Sequence, residues 1–132
     1  MSCEKEYTIK NNSVYMKGWN EGVGNYERLL KNADAKSFSV IETDDNLYGK
    51  DELYVYYENE IISGADPNTF KHLKKGFAID KNRAYHYNDS IENSNPKEFE
   101  VIDYNFSKNY QNVFYKTKPL DVCSVNNFTF VF

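Results

Sequence analysis

Residues 48–76, YGKDELYVYYENEIISGADPNTFKHLKKG, lie without a gap over residues 77–105, FAIDKNRAYHYNDSIENSNPKEFEVIDYN. The offset is 29 residues, and adding it once more reaches residues 106–132, FSKNYQNVFYKTKPLDVCSVNNFTFVF. A divergent first copy opens at Tyr7 with YTIKNNSVYMKG and resumes at NADAKSFSVIE after an insertion that holds Trp19 and Tyr26. A fixed period of this size outranks local propensity, because one short unit cannot bury its own apolar face and needs its neighbours to do so. The chain therefore reads as a single domain, 1–132, of four tandem units of about 29 residues at roughly 7–47, 48–76, 77–105 and 106–132.

The aligned columns carry the physical content. The opening aromatic is Tyr7, Tyr48, Phe77 or Phe106, and eight residues later come Tyr15, Tyr56, Tyr85 and Phe114, preceded by Val14, Val55, Ala84 and Val113. An aliphatic follows at Ile62, Ile91 and Leu120, then a third aromatic at Phe38, Phe70, Phe99 and Phe128. Between the first two aromatics lie polar stretches, Lys10-Asn11-Asn12, Asp51-Glu52-Leu53, Asp80-Lys81-Asn82 and Asn109-Tyr110-Gln111, which suit hairpin loops between Tyr-, Val- and Phe-rich strands. Asp66-Pro67 and Asn95-Pro96 set a side-chain cap before a residue with φ fixed for a first helical turn, and Glu98 is spaced from Asn95 as in a capping box. The expectation is a mainly β fold of hairpin repeats with short helical turns. Within the insertion, Tyr26, Leu29 and Leu30 share a helical face, so one short helix is expected near residues 20–32. The last strand of the fourth copy either pairs with the N-terminal strand, closing the array, or leaves a capped edge.

Composition bounds the function. The chain has 132 residues with 12 Tyr, 9 Phe and a single Trp, so 17% of it is aromatic. Leu, Ile, Val and Phe together make only about 23%, close to the level of disordered chains, so the Tyr rings must serve as core. A net charge of −4 disfavours nucleic acid, whose binders concentrate positive charge. No stretch approaches the length of a membrane span, and the N-terminal MSCEKEY lacks the apolar run of a signal peptide, so the chain as it stands reads as cytoplasmic. The alternative is a periplasmic or envelope location with a lipid anchor at Cys3, the residue a trimmed lipoprotein signal would leave. Two cysteines, Cys3 and Cys123, are too few for a disulfide framework, and spacing does not say whether they meet.

The stretches IDKNRAYHYNDSI and VYYENEIISGADPNTF resemble the DKNYY repeat family, bacterial proteins built from tandem units of a DKN-type turn, an aromatic doublet and a GAD-Pro-x-x-Phe segment. The resemblance covers about residues 7–132 and is strongest in the second and third copies. The first and fourth copies depart from it, with Asp34-Ala35 and Ser124-Val125 in place of Asp-Pro. It implies the repeat architecture and no established catalytic activity.

Residue chemistry points the same way. His72 and His86 are the only histidines, no metal-ligand spacing or nucleophile signature occurs, and neither a metal nor another cofactor is expected. Asp51 and Asp80 suggest paired carboxylates for acid–base work, but an Asp opening a tight turn accepts backbone N–H groups. Gly22-x-Gly24 lacks the third glycine and preceding strand of a phosphate cradle. If Tyr15, Tyr56, Tyr85 and Phe114 face the core, strand alternation turns Met16, Tyr57, His86 and Tyr115 the other way. Exposed tyrosines in a row suit an interface. The candidate partner-binding residues are therefore Trp19, Tyr54, Tyr57, His86, Tyr110 and Tyr115, with Asp44 and Asp45 of the acidic loop. The expected function is a non-catalytic protein-binding module, an immunity-type protein that neutralises a basic bacterial toxin; the alternative is a cell-envelope lipoprotein or a carbohydrate- or cell-wall-binding repeat protein.

Overall fold

The computed structural model describes residues 5–121. Among them every regular element is a strand, and the strands form four antiparallel meanders. The first sheet joins β1 (Glu6–Lys10), β2 (Ser13–Asn20) and β3 (Gly24–Leu29). The second runs through β4 (Ser39–Ile41), β5 (Tyr48–Lys50), β6 (Val55–Tyr57) and β7 (Glu60–Ile61). The third holds β8 (Lys71–His72), β9 (Phe77–Ile79), β10 (Ala84–His86) and β11 (Asp89–Ser90). The fourth holds β12 (Glu100–Val101), β13 (Phe106–Lys108), β14 (Val113–Tyr115) and β15 (Lys118–Leu120). Residues up to Asn68 and those from Thr69 onward make two compact units. Cys3, Cys123 and Phe128 lie outside the described residues, as does the last strand expected for the fourth copy.

The expected helix of the insertion is instead the strand β3. It pairs along its whole length with β2, from Tyr15↔Leu29 to Asn20↔Gly24. A helix of two turns is marginal in water, whereas this hairpin extends an existing sheet. Asn20 closes the turn by accepting the Val23 N–H at 2.9 Å, and Gly24 adopts φ 77°. Tyr26, opposite Gly18, lays its ring where a glycine Cβ would be: a Cβ on Gly18 would lie 2.3 Å from the Tyr26 hydroxyl. Leu30 continues beyond β3 into the core, donating its N–H to Val14 at 2.9 Å, while Leu29 stays exposed.

The expected helical turns are also absent among the described residues. The Asp34, Asp66 and Asn95 side chains do cap, each accepting the N–H of the residue two positions on, Lys36, Asn68 and Lys97. The chain turns there without continuing, and Glu98 is left-handed at φ 57°, which a residue in the first turn of a helix cannot be. The capping box read from Asn95 and Glu98 therefore does not form.

Several non-glycine residues take left-handed φ, and they return at the 29-residue offset: Asn46 and Lys75 at 54° and 55°, and Glu58, Tyr87 and Lys116 at 53°, 54° and 52°. The last three open the two-residue turns between β6 and β7, β10 and β11, and β14 and β15. Each donates its N–H back across the sheet, to Leu47, Gly76 and Asn105 at 2.8, 2.7 and 2.6 Å.

Burial separates the first sheet from the others. In the first, Val14 and Met16 face the core while Tyr15, their neighbour, is only half-buried. The expectation that Tyr15 faces the core and Met16 faces out is thus reversed in this copy. Leu30 and Tyr56 join Val14 and Met16 in the core of the N-terminal unit, with Tyr7, Phe38 and Leu47 against it. In the second and third sheets both faces of the middle strands are dry: Val55, Tyr56, Ala84 and Tyr85 are all fully buried. The core of the C-terminal unit gathers Phe77, Ala84, Ile91, Val101 and Phe114, with Leu73, Ile79 and Phe99 against it.

Candidate functional site

The four-residue turns before β6, β10 and β14 are built on one side chain each. Asp51 Oδ1 accepts the Leu53 and Tyr54 N–H groups at 2.9 and 2.7 Å, and Oδ2 accepts the Tyr56 hydroxyl at 2.9 Å and the Asp34 N–H at 3.0 Å. Asp80 Oδ1 accepts the Asn82 and Arg83 N–H groups at 2.8 and 2.9 Å, and its Oδ2 accepts the Tyr85 hydroxyl at 2.7 Å. At the matching place Asn109 accepts the Gln111 and Asn112 N–H groups at 2.9 and 2.8 Å. The residue five positions on is there Phe114, which has no hydroxyl, and the Asn109 amide donates instead to the Asn95 carbonyl at 2.8 Å. Carboxylate with hydroxyl, or amide with bare ring, are the two self-consistent ways to satisfy these buried groups.

The electrostatics follow from that bonding. Burial pushes the Asp51 carboxyl upward, but the N–H groups of Asp34, Tyr54 and Leu53 and the Tyr56 hydroxyl outweigh it and hold the acid below the usual carboxylate range. Burial, followed by the hydrogen bond to the carboxylate, pushes the phenols of Tyr56 and Tyr85 above the usual tyrosine value. A carboxylate held ionised and surrounded by donors is a weak base and no acid near neutrality. Asp51 and Asp80 each hold a turn through their bonds to the N–H groups two and three residues on.

The structure places the candidate binding residues in several settings. Tyr57, His86 and Tyr115 stand directly across from the opening aromatics, and each ring packs on its partner: Tyr57 on Tyr48 at 4.9 Å between centroids, His86 on Phe77 at 4.6 Å, Tyr115 on Phe106 at 5.0 Å. Residues paired across an antiparallel ladder share a face, so this column lies on the face of the opening aromatics, opposite Tyr56, Tyr85 and Phe114. His86 also packs on Tyr87 at 4.8 Å, and its Nε2 lies 3.0 Å from the Tyr104 carbonyl. Tyr115 remains 41% exposed.

Tyr54 is exposed, its ring centroid 6.3 Å from that of Tyr56 in an edge-to-face arrangement. Tyr110 is exposed under the Lys97 ammonium, 5.7 Å above its ring. Trp19 is half-buried on β2, opposite Asn25 and two residues along from Lys17. Asp44 and Asp45 are exposed, and Asp45 is tied into its loop by the Thr43 hydroxyl at 2.9 Å and the Leu47 N–H at 3.2 Å.

Among the exposed side chains that the sequence reading passed over are Tyr104 at 63% and Leu53 at 66% exposure. Both sit in turns, where no alternation tells inside from outside. Among the described residues no three His, Cys, Asp or Glu side chains gather as a metal site would require, and no helix is long and apolar enough to cross a membrane. No curated protein and no solved structure matches the chain. The DKNYY family model matches residues 7–132, essentially the whole chain, and the protein belongs to the DKNYY family.

Proposed function

We propose that the chain is a non-catalytic protein-binding module, an immunity-type protein that neutralises a bacterial toxin. One observation carries this reading: Tyr54, Tyr110 and Tyr115 are each about two-fifths exposed while a neighbouring ring or cation already holds the side chain. A ring restrained in the free protein loses little rotamer entropy on docking, and its hydroxyl can stay hydrogen-bonded at the rim of an interface. The net charge of −4 would speed encounter with a basic partner. The test is co-expression with the product of the adjacent gene. Rescue of growth together with co-purification supports the reading, and a neighbour that is harmless alone and does not co-purify removes it.

We also read the second, third and fourth sheets as tandem copies of one 29-residue unit. The left-handed positions that return at that offset support this, as do the turn side chains at 51, 80 and 109. Excising residues 70–98, one full period, should then leave a soluble folded chain with a single thermal transition; loss of folding would count against it.

A further inference from the structure

β2 and β3 run to eight and six residues, whereas the strands at the matching places in the other three sheets have two or three. The last fully buried residue on β2 is Met16, so the stretch from Lys17 to Glu27 is not needed to build the core. A groove of about 450 Å³ opens there, lined by Lys17, Gly18, Asn25, Tyr26 and Glu27. We infer that this groove, with Trp19 at its edge, binds a neutral saccharide.

Strand pairing sets the geometry. Lys17 lies across from Glu27 and Trp19 across from Asn25, so these four side chains share the outer face, with Gly18 and Tyr26 paired between them. That middle pair gives the outer face backbone alone. Gly18 has no side chain, and the Tyr26 ring covers the side from which a Cβ would project, which is the face of Val14 and Met16. Lys17, Asn25 and Glu27 are exposed, and Trp19 is half-buried, which steadies the indole and leaves part of its surface open. Glu27 is fixed from outside the groove, its two carboxylate oxygens 3.0 and 2.8 Å from the Lys10 ammonium. A site set before binding spares the ordering cost.

The charges select a neutral ligand. Glu6 on β1 also lies across from Lys17, so that ammonium stands between two carboxylates, while Glu27 faces Lys17 and bonds Lys10. An anion therefore meets Glu6 and Glu27, and a cation meets Lys10 and Lys17. What the face offers is donors and acceptors side by side: the Lys17 ammonium, the Glu27 carboxylate, and an Asn25 amide that serves as both. Each hydroxyl of a pyranose donates and accepts in the same way, and the flat C–H face of the sugar ring packs on an aromatic such as Trp19. A concavity that joins one aromatic to a few convergent polar groups has the form of a small-ligand site.

The experiment is a titration of the full-length protein at constant ionic strength with two neutral probes, maltotriose and tri-N-acetylchitotriose, and two charged ones, chitotriose and trigalacturonate. Trp19 is the only tryptophan in the chain, so its emission reports on this face. The inference expects a saturable change with at least one neutral probe, and binding of both charged probes weaker by about threefold or more. Asn25→Ala, at an exposed position, should weaken binding of the neutral probe about threefold to tenfold. Trp19→Ala, read by amide chemical shifts at residues 17, 18 and 25–27, should weaken it about tenfold. Tyr115→Ala, on the fourth sheet, should leave it unchanged. Emission that never saturates with either neutral probe, a charged probe that binds as tightly, or affinity unaltered by Asn25→Ala overturns the inference. If Trp19→Ala fails to fold, the Asn25→Ala titration decides. The site uses none of the tyrosines of the toxin reading and needs no protein partner, so either reading can fail while the other stands.

Discussion

The first and second sheets use the same columns, but the first buries one face and the second buries both. Tyr7 and Met16 pair across the first as Tyr48 and Tyr57 do across the second, and Thr8 faces Tyr15 as Gly49 faces Tyr56. In the first sheet one face is dry, Val14 and Met16, and the other carries Tyr15, Lys17 and Leu29 toward solvent. In the second both faces of the middle strands are dry. The difference lies in one residue: Gly49 stands where the first sheet has Thr8, and the Phe38 ring fills the space, 2.4 Å from where a Cβ would be. Ala78 and Ser107 hold that place in the third and fourth sheets, both fully buried. A small residue in the middle strand is what lets an aromatic ring cover the second face.

The comparison can be broken most directly at the large rings. Tyr56→Ala should cost about 3–5 kcal/mol in urea unfolding, whereas Tyr15→Ala, in the same column of the first sheet, should cost no more than about 1 kcal/mol. Equal losses would remove the distinction between the sheets. Next in size come the two glycines that lie under rings. Gly49→Ala should cost about 1–3 kcal/mol, because Phe38 packs against the core and has nowhere to go. Gly18→Ala meets Tyr26 just as closely, but that ring lies at the surface beneath the Arg28 guanidinium, 4.5 Å from its centroid, and can swing aside. A thermal scan should show less than about 1 kcal/mol of loss there.

A third contrast concerns turn chemistry. Asp80→Asn and Tyr85→Phe each remove half of a buried pair, and together they recreate the Asn109 and Phe114 combination of the fourth sheet. The double variant should recover about 1 kcal/mol relative to the sum of the singles. Strict additivity would show that the two residues are not coupled.

The smallest effect is that of pH. Asp51 has a folded pKa below its unfolded value near 3.9, so its stabilisation is complete above about pH 4 and is lost as pH falls through the folded value. Asp51→Asn should flatten the acid limb of a stability–pH curve, while Lys10→Ala, at the corresponding turn of the first sheet, should leave it unchanged. An acid limb unaltered by Asp51→Asn would place the titrating group elsewhere.

Much of this was legible from residue columns, and the reasons for the exceptions are physical. The turns at 51, 80 and 109 were readable because an Asx side chain accepting N–H groups two and three residues on is a local interaction. The insertion was ambiguous on its own: Tyr26, Leu29 and Leu30 fit a helical face, while Tyr26, Arg28 and Leu30 fit one face of a strand. Gly18, eight residues before Tyr26, decides between them by offering room for the ring, and that is visible only once the strands are paired. The helix expected after Asp66 and Asn95 fails because the next strand claims the chain too soon. The left-handed turns at Glu58, Tyr87 and Lys116 left no trace, since none of these residues is glycine. For the candidate surface, the column Tyr57, His86 and Tyr115 was found, but its packing on Tyr48, Phe77 and Phe106 depends on register, which turn geometry sets.

Among the described residues, every strand pairs only with strands adjacent to it in the chain. Sheet proteins usually fold slowly because distant segments must meet before any bond rewards the lost loop entropy. Here no such meeting is required within a sheet. Each meander closes loops of a few residues at a time, so its contact order resembles that of a helical bundle. Tyrosine fluorescence after a rapid dilution from urea should therefore recover within milliseconds, and a refolding phase lasting seconds would mean that docking between meanders, and not their formation, limits the rate.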